Sequence, residues 1–223
     1  GFFDAPVTAE DTNEAIANGR AVIKEEKAWT YELGAKTQWL DRRLTANVAV
    51  YYIDWTNQAV NEVQNVDWTC ADTGLENSIP NNFIRNAGES RVTGTEIELA
   101  LAATDNLFLT LNYGLQDTKL ESYNSLVLAT LVSDDPDVLA SGVSVSGNEA
   151  PRVPKHTVTA SAMYRRPLGG LGSDWFLRGD YVYNSKTWLE AENAAYVGDL
   201  NLLNSRIGVE RDSWSAAFYV DNL

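Results

Sequence analysis

The feature that most constrains this chain is a strict two-residue alternation of apolar and polar side chains over long runs. Between Tyr31 and Trp39 the odd-numbered residues are apolar or small, whereas Glu32 and Lys36 lie between them. After a short turn, a second run of the same kind extends from Leu44. Because successive side chains of an extended strand point to opposite faces, a period of two predicts β-strands, and the two runs predict a hairpin.

Three further pairs of runs follow, each joined by a short turn. The pairs are 95–101 with 109–116, 157–165 with 175–184, and 203–210 with 214–221. The sequence therefore predicts an all-β, antiparallel fold with about eight strands of roughly 9 to 12 residues. Strands of soluble proteins usually have about 5 or 6 residues, whereas tilted membrane strands need about 9 to 11. Strand length favours a transmembrane β-barrel.

The connections and the ends of the runs also favour a transmembrane β-barrel. Short turns at one end alternate with long polar segments at the other, as in barrels with short periplasmic turns and long extracellular loops. The long segments are 58–90, 118–155 and 185–199. Aromatic residues recur at the ends of the apolar faces, where a lipid-facing wall has its interfacial girdles. They are Trp39, Tyr52, Tyr113, Tyr164, Trp175, Tyr183 and Trp214.

Composition excludes several other classes. The 17 basic and 31 acidic residues give a net charge of −14, which argues against nucleic acid as a partner. Cys70 is the only cysteine, so no internal disulfide is expected. No apolar run reaches the roughly 18 residues that a membrane-spanning helix needs. This criterion does not detect membrane β-barrels, because their strands alternate apolar and polar residues.

Several local motifs resemble one family, the TonB-dependent outer-membrane receptors, over most of the chain from about Glu25. The motifs are Tyr31-Glu32-Leu33-Gly34 with Lys36, the strand 47–58, Asn86-Ala87-Gly88 followed by Gly94-Thr95-Glu96 and Glu98, Pro151 with Pro154-Lys155-His156, and Trp214 with Asn222-Leu223. Their order and separations are similar to those in the family.

The resemblance implies a 22-stranded barrel whose lumen is closed by an amino-terminal plug. It also implies partners: the TonB-ExbB-ExbD system acting through the plug, outer-membrane lipid, and a small ligand such as a metal chelate. On this interpretation residues 1–223 are part of a single barrel domain in the bacterial outer membrane, and the plug and final strands lie outside the sequence. No cofactor is expected.

Two sets of residues are candidates for function. The charged residues of the polar face are expected to face the plug across the lumen: Lys36, Glu96, Glu98, Arg178, Asp180, Arg206 and Glu210. Simple solvation in a water-filled barrel is the alternative for them. Trp68, Trp188 and Tyr196 lie in the long segments and could stack on a ligand at the pore mouth, or pack loop against loop.

No catalytic constellation is found, because a single histidine and a single cysteine lie far apart in sequence, and no enzyme is expected. His156 has no nearby metal-ligating partners, so a structural role is favoured. Asp134, Asp135 and Asp137 lack the other ligands of a calcium loop and predict a solvated acidic loop. The glycine-rich segment 169–172 predicts a turn between strands rather than a phosphate loop.

The expected function is TonB-dependent import of a scarce, bulky nutrient, most commonly a ferric siderophore in this family. Haem, vitamin B12, oligosaccharides and peptides remain alternatives as the ligand. A porin or adhesin-type barrel without a plug, a self-contained eight-stranded barrel, and a soluble carbohydrate-binding β-sandwich are the alternative proteins. In a sandwich, the apolar faces of two sheets would pack against each other.

Overall fold

The computed structural model describes residues 23–69, 76–169 and 172–222. Cys70, Gly170, Leu171 and Leu223 lie outside these ranges. Eleven strands are present in the described part, and the eight predicted runs coincide with the eight longest ones. They are β1 (Lys27–Trp39), β2 (Leu44–Thr69), β3 (Glu76–Ala102), β4 (Leu107–Ser125), β5 (Val143–Ser144), β6 (His156–Pro167), β7 (Asp174–Asn184), β8 (Thr187–Trp188), β9 (Tyr196–Val197), β10 (Leu200–Arg211) and β11 (Trp214–Val220).

Two short helices interrupt this pattern, α1 (Leu126–Val132) and α2 (Pro136–Ser141). Each begins at a residue whose side chain caps the first turn: Ser125 accepts a hydrogen bond from the amide of Leu128, and Asp135 accepts one from the amide of Asp137. No helix in the described part of the chain is long and apolar enough to cross a membrane.

The main sheet has the order β1-β2-β3-β4-β6-β7-β10-β11, with β5 paired to β4, and β8 and β9 form a separate two-stranded sheet. The pairs β4–β6, β6–β7, β7–β10 and β10–β11 are antiparallel. The antiparallel all-β prediction is therefore confirmed. No pairing of β1 with β11 is found among the described residues, so an eight-stranded closure is not formed by them.

The strand register gives the sheet one apolar and one polar face, as the alternation predicted. Leu109, Leu111 and Tyr113 pair with Ala162, Ala160 and Val158, so apolar side chains meet apolar side chains. On the opposite face Thr110 and Asn112 pair with Ser161 and Thr159, and both pairs are joined by side-chain hydrogen bonds. The same parity continues through β7, β10 and β11. We call these the outward face and the inward face.

The chain divides into two compact units, and strands β1, β2, β3 and β4 contribute to both. Among the described residues, one unit comprises 30–53, 92–118, 149–169 and 172–222 and contains the paired faces just described. The other comprises the described residues 23–29, 54–69, 76–91 and 119–148. Its small apolar core is formed by buried side chains of β4, of α1 and of the segment after β5. They are Leu120, Tyr123, Leu126, Ala129 and Val145.

The expected loops are only partly loops. In the first long segment, 58–90, β2 continues to Thr69 and β3 already begins at Glu76. In the second, β4 continues to Ser125 before α1, α2 and β5, and the third contains β8 and β9. The predicted lengths of 9 to 12 residues are therefore too short for these strands, since β2, β3 and β4 have 26, 27 and 19 residues.

Candidate functional site

The outward face carries a continuous apolar surface that no other part of the described chain covers. The exposed fractions are 75% for Leu33, 51% for Ile207 and 85% for Phe218. In water, an apolar patch of this extent would favour association or aggregation. A single-layer sheet with such a face requires an apolar environment, and its backbone polar groups are already satisfied in the ladder.

Aromatic residues border this surface at the turn end of the sheet, by which we mean the end with the short turns 40–43, 103–106, 168–173 and 212–213. Trp175 and Tyr164 are in ring contact, with centroids 5.5 Å apart. Trp39 is the last residue of β1 and Trp214 the first residue of β11. All four were predicted as girdle residues, and the parity of each strand directs them to the outward face.

A second aromatic row borders the surface at the other end, which we call the loop end. Tyr31 and Tyr52 are in ring contact at 6.3 Å, and Tyr113 stacks on His156 at 6.1 Å. Tyr183 completes the row, and its hydroxyl donates to Asp199. Polar tips with apolar rings suit the membrane–water interface.

The two rows have a constant separation along the strands. Trp39 and Tyr31, Tyr164 and His156, and Trp175 and Tyr183 are each eight residues apart. At about 3.3 Å per residue this is roughly 26 Å of strand, or about 20 Å of height for a strand tilted by about 40°. An apolar band of about this height is typical of outer-membrane barrels.

On the inward face, β1, β2 and β3 carry mainly acidic side chains. Glu98 accepts a hydrogen bond from Asn47, and a shallow surface pocket is lined by Glu32, Lys36, Glu96 and Glu98 together. The structure thus brings together three of the predicted inward charges. In the same region the ring of Tyr51 lies against Gly94, where a β-carbon would collide with it, which explains the glycine of that motif.

The inward face of β7 and β10 carries a cluster of two arginines and one carboxylate away from the turn end. Arg178 binds both carboxylate oxygens of Asp180, at 2.7 to 3.0 Å. Arg206 lies directly across from Arg178 in the register and has no ion pair with any described residue. Two arginines and one carboxylate leave this cluster with one uncompensated positive charge.

Glu210, the last predicted inward charge, is already paired within the wall. It lies directly opposite Asp174 in the register, and Arg165 forms ion pairs with both carboxylates, that with Asp174 at 3.2 Å. This cluster is at the turn end, where it prevents repulsion between two facing acids.

The structure brings together two of the three predicted ligand-contacting rings. Trp188 in β8 pairs with Tyr196 in β9, and their rings meet edge to face at 5.4 Å. The ammonium of Lys186, a residue that the sequence did not single out, lies 3.9 Å from the centre of the Trp188 ring and 5.5 Å from that of Tyr196. We call these three residues the aromatic–lysine cluster. Trp68 lies in β2, and its side chain is outside the described part.

This cluster is held in place by the neighbouring segment 149–152. The indole nitrogen of Trp188 donates to Glu149 at 3.2 Å, and the amide of Arg152 donates to the carbonyl oxygen of Trp188. Asn193 both accepts from the amide of Glu149 and donates to its carbonyl oxygen. The side chain of Tyr196, in contrast, remains 58% exposed. Tyr196 is therefore available to a ligand, while Trp188 is largely occupied by protein contacts.

The remaining candidates have local structural roles. The Nδ1 of His156 is 2.9 Å from the Tyr113 hydroxyl, and its amide donates to Ser185. Asp135 caps α2. The glycine-rich segment 169–172 falls between β6 and β7 in the sequence, and its Gly170 and Leu171 lie outside the described residues. Within the described ranges, no three metal-ligating side chains form a group that could hold an ion.

Comparisons with known proteins agree with this architecture. The family model described as "TonB dependent receptor-like, beta-barrel" matches residues 2–223. A curated relative, the probable TonB-dependent siderophore receptor PiuA of Acinetobacter baumannii, is 25% identical over 84% of this chain and 21% of its own length. The chain thus spans about a fifth of that relative.

Solved structures show the same fold. The ferric yersiniabactin uptake receptor FyuA of Yersinia pestis is similar with a TM-score of 0.63 at 18% identity, over 89% of this chain and 25% of that one. The ferric preacinetobactin receptor BauA of A. baumannii is similar with a TM-score of 0.54 at 16% identity, over 88% and 25%. With the family match over nearly the whole sequence, this chain belongs to the TonB-dependent receptor-like β-barrel family.

Proposed function

We propose that residues 1–223 form part of the barrel wall of a receptor that imports a ferric siderophore across the bacterial outer membrane with energy delivered by TonB. The observation that carries the proposal is a single-layer sheet with an aromatic-bordered apolar band on one face and clustered charges on the other. Lipid on one side and an aqueous, protein-lined lumen on the other satisfy both faces. Membership of the family supports the same location.

The inward charges are suited to contact with a plug. The acidic surface of β1 to β3 and the uncompensated charge near Arg206 are complementary to a partner that carries both signs. Within the proposed receptor, the TonB-ExbB-ExbD system would act on that plug, and this chain would supply a passive, non-enzymatic wall.

The ligand is proposed to meet the aromatic–lysine cluster. Tyr196 offers an exposed ring, and Lys186 offers a cation close to it, which together suit a flat, anionic group such as that of a metal chelate. The relatives named above as siderophore receptors support a ferric siderophore over haem, vitamin B12 or an oligosaccharide.

The test is uptake of radiolabelled iron, supplied as a panel of ferric siderophores, by a deletion strain that carries the full-length protein. We expect uptake by energised cells that is abolished when TonB is deleted. Uptake that does not require TonB would contradict the proposal and indicate a diffusion pore. Recovery of the folded protein without detergent would contradict the membrane location.

The site is tested separately with Tyr196→Ala. Because an aromatic contact contributes about 0.5 to 1.5 kcal/mol, the KM for uptake should rise about 2- to 10-fold while the maximal rate changes little. Leu189→Ala is the matched control, since Leu189 is an exposed residue of the same segment. Equal KM values for both variants would exclude Tyr196 from the ligand site.

A further inference from the structure

Two arginines project from the outward face at the turn end, at the level of the tryptophans of the aromatic row. Arg166 follows Tyr164 by two residues on β6 and lies directly across from Trp175. Arg211 follows Val209 by two residues on β10 and lies directly across from Trp214. Since side chains two residues apart on a strand share a face, both arginines are on the same side as the apolar band.

Neither arginine forms an ion pair within the described part of the chain. Both are exposed, and neither has an ion pair or hydrogen bond with a described residue. The nearby acids Asp174 and Glu210 have inward parity, and both pair with Arg165, the neighbour of Arg166 in sequence. Arg211 lines a surface pocket together with Arg165 and these two acids, but it has no ion pair with either acid among the described residues. Asp212 lies in the turn after Arg211 and is also exposed, without an ion pair to it.

The position of the pair determines what it can bind. Arg166 and Arg211 are two strand spacings apart across the sheet and offset by two residues along it, so their α-carbons are about 12 Å apart. An arginine side chain reaches about half that distance, so the two guanidinium groups can bind one phosphate together or two adjacent ones. Arginine forks bind phosphate oxygens in pairs, and their stems can lie along apolar surface while the charged ends reach the headgroup layer.

We propose that Arg166 and Arg211 bind the phosphate groups of anionic glycerophospholipids in the leaflet at the turn end of the barrel. The tryptophans beside them, Trp175 and Trp214, lie at the level where acyl chains give way to headgroups. The site therefore combines a charged headgroup contact with an adjacent ring for the glycerol region. This inference rests on the membrane location proposed above and is independent of the transported ligand.

The test is native mass spectrometry of the full-length protein in detergent, titrated with phosphatidylglycerol, phosphatidylethanolamine or lipid A. We expect phosphatidylglycerol to bind in preference to the other two. Because a basic residue near an anionic membrane surface contributes about one kcal/mol, each of Arg166→Gln and Arg211→Gln should weaken binding about fivefold, and the double variant about 25-fold.

Arg206→Gln is the matched control, because it removes the same charge from the inward face. It should leave phosphatidylglycerol binding unchanged, and heat-modifiable migration on gels establishes that every variant is folded. Equal binding by the double variant and the unchanged protein would overturn the proposal. A preference for lipid A would also overturn it, since that lipid belongs to the opposite leaflet, and so would an equal loss in Arg206→Gln.

Discussion

A charge placed at mid-height of the outward face should be far more costly than the same charge one residue away. Leu111 pairs with Ala160, which lies four residues from both Tyr164 and His156 and hence midway between the two aromatic rows. Arginine at the midplane of a membrane barrel costs about 2 to 4 kcal/mol, and near the interface about 0 to 1 kcal/mol. We therefore expect Leu111→Arg to reduce the free energy of unfolding by about 2 to 4 kcal/mol.

Two matched variants distinguish the effects of membrane depth and of sheet face from the general effect of introducing an arginine. Leu107 pairs with Tyr164 at the turn-end row, about 10 Å lower for a tilted strand, so Leu107→Arg should cost at most about 1 kcal/mol. Asn112 is on the inward face, and its side chain donates to Thr159 at 3.1 Å. Asn112→Arg should cost about 1 kcal/mol, the contribution of that hydrogen bond.

The assay is equilibrium urea unfolding of the full-length protein in lipid vesicles, followed by tryptophan fluorescence. The order of destabilisation should be Leu111→Arg well above Leu107→Arg and Asn112→Arg. If Asn112→Arg is as costly as Leu111→Arg, or if Leu111→Arg has no effect, the outward face does not contact hydrocarbon.

Two further predictions concern ion pairs. Arg165→Gln leaves Asp174 and Glu210 facing each other and should destabilise the fold by about 1 kcal/mol, and by less at high salt. Adding Glu210→Gln should restore the lost stability. A double-mutant cycle that shows no coupling between the two substitutions would contradict this prediction. Lys155 forms an ion pair with Asp117, whose hydrogen bond raises the pKa of the Lys155 ammonium above 10.5 against partial desolvation. The stabilisation by this ion pair is therefore complete below pH 10.5 and is lost as the pH rises through the raised pKa. We expect Lys155→Met to lower the free energy of unfolding by a constant amount between about pH 7 and 9, and by less in stronger alkali.

The faces of the strands could be predicted from sequence because lipid and water impose opposite requirements on neighbouring residues. The apolar Leu109 indicates a face in contact with lipid, and the polar Thr110 indicates a face in contact with water. A period of two can be recognised from neighbouring residues alone, without knowing which distant residues are in contact. The strands could not be followed beyond that region. After Ile53 the sequence of β2 loses its alternation, yet the backbone ladder continues to Thr69, since pairing requires only amides and carbonyls.

The candidate site was predictable in residue type but not in arrangement. Exposed aromatics in a long polar segment indicated Trp188 and Tyr196, but nothing in the sequence indicated that β8 and β9 would pair them. Lys186 was missed because its position over the rings depends on that pairing. Glu210 was predicted to face the lumen, but its ion pair with Arg165 could not be predicted because it joins residues 45 positions apart. Arg166 and Arg211 were not among the predicted site residues, since they share the parity of the apolar band and not that of the lumen-facing charges.

The eight-residue separation of the aromatic rows has a consequence for where such a wall can reside. Its roughly 20 Å of hydrophobic height is shorter than the hydrocarbon thickness of about 30 Å in an average bilayer, and the bacterial outer membrane is thinner than average. In a thicker bilayer, the surrounding lipids would have to compress or the rings would sink into acyl chains. Hydrophobic mismatch therefore gives this wall a modest energetic preference for thin membranes. That preference follows from the strand length and does not depend on any sorting signal.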